Sequence, residues 1–177
     1  MKYLILILLF TPLLEENCFG FPDSLKYYIE DVNSIDASDL IVRVIPWGEL
    51  EGCMDSYDHG VEIKLLSDST TLRKAQVSYG LSGGPIIISI YFRDTIPFYM
   101  SEITKHYHFD ENKGEFDYDK PMITKEKKEL YIYNWENNYC FNILNSKESE
   151  TGPIQHPFSP HDYLYYVKLA YKYYQTE

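Results

Sequence analysis

Hydrophobic and polar residues alternate along much of the chain between positions 39 and 144, and this alternation predicts β-strands. In residues 60–66, three aliphatic side chains alternate with Glu62 and Lys64, as in a strand that is buried on one face. Residues 39–47 instead form an apolar run, rich in β-branched side chains, that Pro46 ends. Similar patterns predict further strands at 73–80, 85–94 and 98–110.

The region from 115 to 144 divides into a polar part and a hairpin-like part. Residues 115–129 are mostly polar, and we expect a loop or a weak edge strand there. Residues 129–144 contain two β-rich runs on either side of Asn137 and Asn138. Because asparagine tolerates the positive φ of a tight turn, this segment predicts a hairpin.

Helical spacing occurs near both ends of the chain. Residues 21–32 predict a short helix, capped by Asp23 or Ser24, whose apolar positions are Leu25, Tyr28, Ile29 and Val32. Residues 159–177 predict a longer helix, with Ser159 as N-cap, Pro160 as the first helical residue and Asp162 in a capping box. The apolar stripe of this second helix is Leu164, Val167, Ala170, Tyr171 and Tyr174, and its wetter side carries His161, Lys168 and Lys172.

These elements predict one α+β domain over residues 21–177. We expect a largely antiparallel β-sheet of six or seven strands, packed by the C-terminal amphipathic helix. A helix with one apolar face needs a surface to cover, and the sheet supplies that surface.

The N-terminal residues 1–20 have the pattern of a signal peptide. Lys2 precedes an apolar run from Tyr3 to Leu14, which is too short to span a bilayer of roughly 30 Å. Cys18 and Gly20 are small enough for the cleavage positions. We therefore expect an exported, periplasmic or extracellular protein without stable membrane insertion after processing. Lipid anchoring through Cys18 and a buried N-terminal strand are the alternatives.

Export changes the interpretation of the cysteines. Cys53 and Cys140 would remain after cleavage, and such a pair commonly forms a disulfide outside the cytosol. In the chain-entropy model this bridge would stabilise the fold by roughly 4–5 kcal/mol. Two unrelated buried thiols are the alternative.

The chain is acidic, with 16 basic and 27 acidic residues and a net charge of −11. This charge repels phosphate backbones and argues against a nucleic-acid partner. It suits a cationic partner or simple solubility. The 18 tyrosines either form a surface that binds proteins or sugars, or reflect the base composition of the gene.

Residues 106–110 contain the strongest candidate for a metal site. On a strand, His106, His108 and Asp110 would share one face, with Tyr107 and Phe109 turned into the core. Two imidazoles and a carboxylate suit zinc, and His59, His156, His161 or a water could complete the site. The string is similar to the first metal motif of metallo-β-lactamase-like hydrolases, but Glu111 replaces the next histidine and no membership follows. The simpler interpretation is the exposed face of an amphipathic strand.

Two other segments carry candidate chemistry. Residues 80–84 match Gly-x-Ser-x-Gly with Ser82 as nucleophile, but a strand rather than a helix follows, which favours a hairpin turn. Residues 47–60 gather acidic side chains with Cys53 and His59, as an acidic recognition loop, a calcium-like oxygen site or a cysteine nucleophile. A long turn between strands is the simpler interpretation.

We therefore predict an exported, acidic binding domain without catalytic activity or cofactor. Its partner would be a protein or glycan, preferably cationic, and an inhibitor- or immunity-like role is one concrete version. The alternative is a zinc-dependent hydrolase that uses His106, His108 and Asp110.

Overall fold

A computed structural model describes residues 24–46, 50, 60–146 and 159–175. The predicted signal peptide, Cys18, Cys53 and nearly all of the acidic loop at 47–60 lie outside these residues. The described residues form an α+β fold that consists mostly of strands, as the sequence predicts. No helix among them combines the length and apolar character that crossing a membrane requires.

One antiparallel sheet of seven strands organises the fold, in the order β1-β2-β3-β4-β5-β8-β9. Neighbours in the sheet follow one another along the chain, except where a separate two-stranded hairpin, β6–β7, is inserted between β5 and β8. The strands are β1 Ile41–Pro46, β2 Val61–Ser67, β3 Leu72–Leu81, β4 Gly84–Arg93, β5 Ile96–His106, β6 His108–Asp110, β7 Glu115–Asp117, β8 Ile123–Asn134 and β9 Tyr139–Ser146.

The C-terminal helix covers one face of this sheet. A 3-10 turn, Pro160–Tyr163, leads into α2, Leu164–Tyr174. The Ser159 N–H donates to Asp162 Oδ2 at 2.7 Å, as the predicted capping box requires. Val167 and Ala170 of the predicted apolar stripe are buried in α2. Leu169 and Tyr173 are also buried, although they were not predicted to belong to the stripe. They pack on alternate strand residues that include Val77, Ile90, Met100 and Leu130.

The N-terminal helix covers the opposite face. This helix, α1 Ser24–Asp36, is longer than predicted and buries Leu25 and Ile35, while Ile29 is exposed. Its partners on the sheet include Tyr91, Tyr99 and Tyr131, which alternate with the residues under α2. Asp36 fixes the helix end, because it accepts hydrogen bonds from Tyr91 at 2.9 Å and Lys74 at 2.7 Å.

The prediction of a loop or weak edge at 115–129 is wrong for its second half. Residues from Ile123 onward belong to β8, which pairs with β5 on one side and β9 on the other. Its charges are tolerated because they are paired: Lys128 Nζ lies 2.7 Å from Glu102 Oε1, and Tyr163 donates to Glu102 Oε2 at 3.0 Å. Burial would lower the pKa of Lys128, but the neighbouring carboxylates more than offset this effect and raise it.

The hairpins at 80–84 and 134–139 agree with the sequence. Ser82 and Gly83 form a two-residue turn between β3 and β4, and Asn138 takes a positive φ of 55° in the β8–β9 turn. Gly84 has a φ of +141°, and a Cβ built on it would lie 2.2 Å from the Lys105 carbonyl oxygen. Only glycine lets the backbones of β4 and β5 approach this closely.

Replacement of Gly84 by alanine should therefore destabilise the protein strongly. We expect Gly84→Ala to lower the free energy of unfolding by at least about 2 kcal/mol, through strained φ and steric overlap. Gly83→Ala is the matched control, because its Cβ would meet only the His106 ring at 3.8 Å, an ordinary contact. Urea denaturation of both variants measures the difference, and equal stabilities would contradict this account of Gly84.

Candidate protein-interaction surface

The strand predicted over 98–110 is interrupted at Tyr107. β5 ends at His106, which pairs with Ile123 of β8, and β6 begins at His108 in a separate sheet. The Tyr107 N–H donates instead to the Gly83 carbonyl at 3.0 Å, in the β3–β4 turn. This bond redirects the chain, so His106 and His108 belong to different sheets and do not follow the alternation of one strand.

Among the described residues, the predicted metal ligands are not gathered into one site. The described residues contain no group of three or more His, Cys, Asp or Glu side chains that could hold a metal ion. Asp110 instead closes a turn, where its carboxylate accepts the Asn112 N–H at 3.0 Å. His161, proposed as a further ligand, lies 2.9 Å through Nε2 from the Trp135 carbonyl oxygen. His59 and His156 lie outside the described residues.

The serine and cysteine candidate sites also have simpler structural explanations among the described residues. Ser82 lies between two strands, so the strand-to-helix turn that a Gly-x-Ser-x-Gly nucleophile needs is not built here. Cys140 of β9 is half-buried and forms no disulfide with another described residue, and burial raises the pKa of its thiol. Since Cys53 is not among the described residues, the Cys53–Cys140 bridge stays a prediction.

The β6–β7 hairpin is amphipathic, and it was not predicted from the sequence. Phe109 faces Phe116 across the pair, whereas His108 faces Asp117 and Asp110 faces Glu115. One side of the hairpin is therefore aromatic and the other mostly acidic. The available signal was the alternation of Phe116 and Tyr118 with acidic residues, after a turn that ends at Gly114.

Four aromatic rings contact one another on the hairpin and its flanks. The rings of Phe109 and Phe116 are 5.4 Å apart, and those of Tyr107 and Tyr118 are 4.7 Å apart. The two core clusters of the described residues contain none of these rings. Phe109 is 56% exposed and Tyr118 is 64% exposed, which corrects the expectation that Phe109 points into the core. Exposed aromatic groups of this kind are typical of binding surfaces.

Four carboxylates line a cleft together with two of these rings, and two of the four are paired with lysines of the same segment. Lys120 Nζ lies 2.9 Å from Asp117 Oδ2, and Lys113 Nζ lies 3.9 Å from Asp110 Oδ2. The hydrogen bond from Lys120 lowers the pKa of Asp117, and the same bond raises the pKa of Lys120. All four groups are at least partly exposed, so these pairs are weak and exchangeable.

The hairpin borders two open clefts. The first, of about 550 Å³, lies on the hairpin itself; its lining comprises Phe116, Tyr118, the carboxylates of Asp110, Glu115, Asp117 and Asp119, and Lys113. The second, of about 460 Å³, lies between Tyr107 and the ends of β1–β4, and Pro46, Val61, Leu81 and Pro85 supply its apolar wall. The arrangement offers flat rings and negative charge, which suit recognition of a cationic surface.

Comparison of the chain with protein-family models, curated proteins and solved structures finds no match. What this surface can bind is therefore inferred from its own residues.

The aromatic rings of the hairpin should contribute little to stability. We expect Phe109→Ala and Tyr118→Ala each to change the free energy of unfolding by less than about 0.5 kcal/mol, because the rings are exposed and outside both cores. Phe92→Ala is the contrasting control: Phe92 is 0% exposed, and its truncation should cost about 3–5 kcal/mol. Chemical denaturation measures all three, and a loss above 2 kcal/mol at Phe109 would show a structural role.

Proposed function

We propose that this protein is an exported, non-catalytic binding domain that uses the β6–β7 hairpin to hold a cationic protein partner. The observation that carries the proposal is the set of four rings at Tyr107, Phe109, Phe116 and Tyr118. They contact one another, lie outside both core clusters of the described residues and leave Phe109 and Tyr118 more than half exposed. Because the fold does not need these rings for its core, a binding role explains them best.

Charge favours a basic partner. Residues 107–120 include five acidic residues and two lysines, and the whole chain carries a net charge of −11. Attraction between this surface and a basic protein would raise the association rate, and the effect would weaken as salt screens the charges. A neutral glycan could stack on the same rings, but it would make no use of the carboxylates. A protein partner therefore fits the surface better than a glycan.

An inhibitor- or immunity-like role is the concrete form of this proposal. A small acidic domain can block a basic partner by occupying its binding surface, without any chemistry of its own. The predicted signal peptide supports a periplasmic or extracellular setting. The zinc-hydrolase alternative gains no support from the described residues, because His106 and His108 lie in different sheets.

Affinity capture from the native extracytoplasmic fraction tests this proposal. The baits are the mature protein, the double variant Phe109→Ala/Tyr118→Ala, and Tyr27→Ala, which removes a 68%-exposed tyrosine from α1. We expect a basic protein to bind the wild type and Tyr27→Ala at low salt, to dissociate as salt is raised, and to be lost from the double variant.

Two results would count against the proposal. The first is the absence of any captured protein at low or high salt. The second is a captured partner that the double variant retains as well as the wild type, which would place the binding surface elsewhere.

A further inference from the structure

The hairpin surface has the composition of a binding site for arginine side chains. In the cleft of about 550 Å³, two aromatic rings, Phe116 and Tyr118, lie among four carboxylates. We propose that the partner docks on the hairpin through arginine, whose guanidinium stacks on the exposed rings and pairs with the adjacent carboxylates. This inference rests on the proposed function and names the partner group that the hairpin recognises.

Cations of the protein itself already occupy part of this surface. Lys120 holds the Asp117 carboxylate at 2.9 Å, and Lys113 approaches Asp110 to 3.9 Å. Both lysine side chains are mostly exposed, so a competing cation can displace them at little cost. Their positions indicate where the charged group of the partner would lie.

Arginine fits this surface better than lysine. A guanidinium is planar, stacks on an aromatic face and donates to a carboxylate in a bidentate manner, whereas an ammonium is a compact and strongly hydrated charge. Tyr118, which is 64% exposed, lines the same cleft as Asp117 and Asp119. A ring on which a guanidinium can stack and carboxylates with which it can pair therefore line one cleft.

An arginine that stacks on a ring and pairs with a carboxylate occurs elsewhere in this fold. Arg93 stacks on Phe98, with its guanidinium carbon 4.8 Å from the ring centroid, and it also pairs with the Asp31 carboxylate. The chain has only three arginines, at positions 43, 73 and 93, and all three lie in the large sheet. The hairpin thus carries the ring and carboxylate parts of this arrangement, and the arginine must come from another molecule.

Binding of two defined peptides tests the inference. Hexa-arginine amide and hexa-lysine amide, of equal charge, are titrated into the mature protein at about 0.15 M salt and followed by calorimetry. We expect hexa-arginine to bind at least about threefold more tightly, as expected for cation–π stacking at an exposed site. Tyr118→Leu should remove this preference, whereas the matched control Tyr27→Leu should retain it.

A second variant tests the inference through a gain in affinity for hexa-arginine. Lys120→Met frees the Asp117 carboxylate, so its affinity for hexa-arginine should rise about two- to threefold, in line with an exposed ion pair. Lys26→Met, which removes an exposed lysine 3.8 Å from Glu30 on α1, is the control and should show a smaller gain. Because these side chains are exposed, near-ultraviolet circular dichroism should show unchanged folding.

The outcomes separate this inference from the proposed function. Equal affinity for the two peptides, absence of binding by either peptide, or an unchanged preference in Tyr118→Leu would overturn the arginine assignment. None of these results removes a partner captured through Phe109 and Tyr118, which would then use another cationic or apolar group. Retention of the captured partner by the double variant would instead refute the proposed function.

Discussion

The fold depends on burying both faces of one antiparallel sheet. The central strands carry apolar side chains on both sides, with Ile90 and Met100 under α2 and Tyr91 and Tyr99 under α1. Burial of each large apolar side chain contributes about 1.5–3 kcal/mol, so both helices are required if these strands are to stay out of water. The two core clusters of the described residues result from this single constraint, and they define which residues the fold needs.

Burial of the two sheet faces does not involve the β6–β7 hairpin. The β6–β7 hairpin branches from the sheet after His106, where the Tyr107 N–H turns to the Gly83 carbonyl. An isolated two-stranded hairpin is marginally stable in water, and ring contacts such as that between Phe109 and Phe116 act within the hairpin, outside both core clusters of the described residues. What remains is an exposed aromatic and acidic surface beside a well-packed domain.

Local sequence patterns correctly predicted the elements that depend on residues close together in the chain. The capped C-terminal helix, the Asn137–Asn138 hairpin and the turn at Ser82 each depend on neighbouring residues, and each is present in the structure. The full extent of β8 was not predictable, because Lys128 becomes acceptable in an internal strand only through Glu102 on β5. Likewise, the interruption at Tyr107 depends on a carbonyl group in a distant turn. The prediction of one continuous strand over 98–110 was wrong for that reason, and the hairpin was missed with it.

Amide hydrogen exchange tests the separation of hairpin and core most directly. The account predicts that amides of Phe109 and Phe116 exchange through local opening, with protection far below that of Val77 and Met100 in the central strands, which exchange only on global unfolding. Equal protection of hairpin and central strands would contradict the account, because the rings would then belong to the cooperative core.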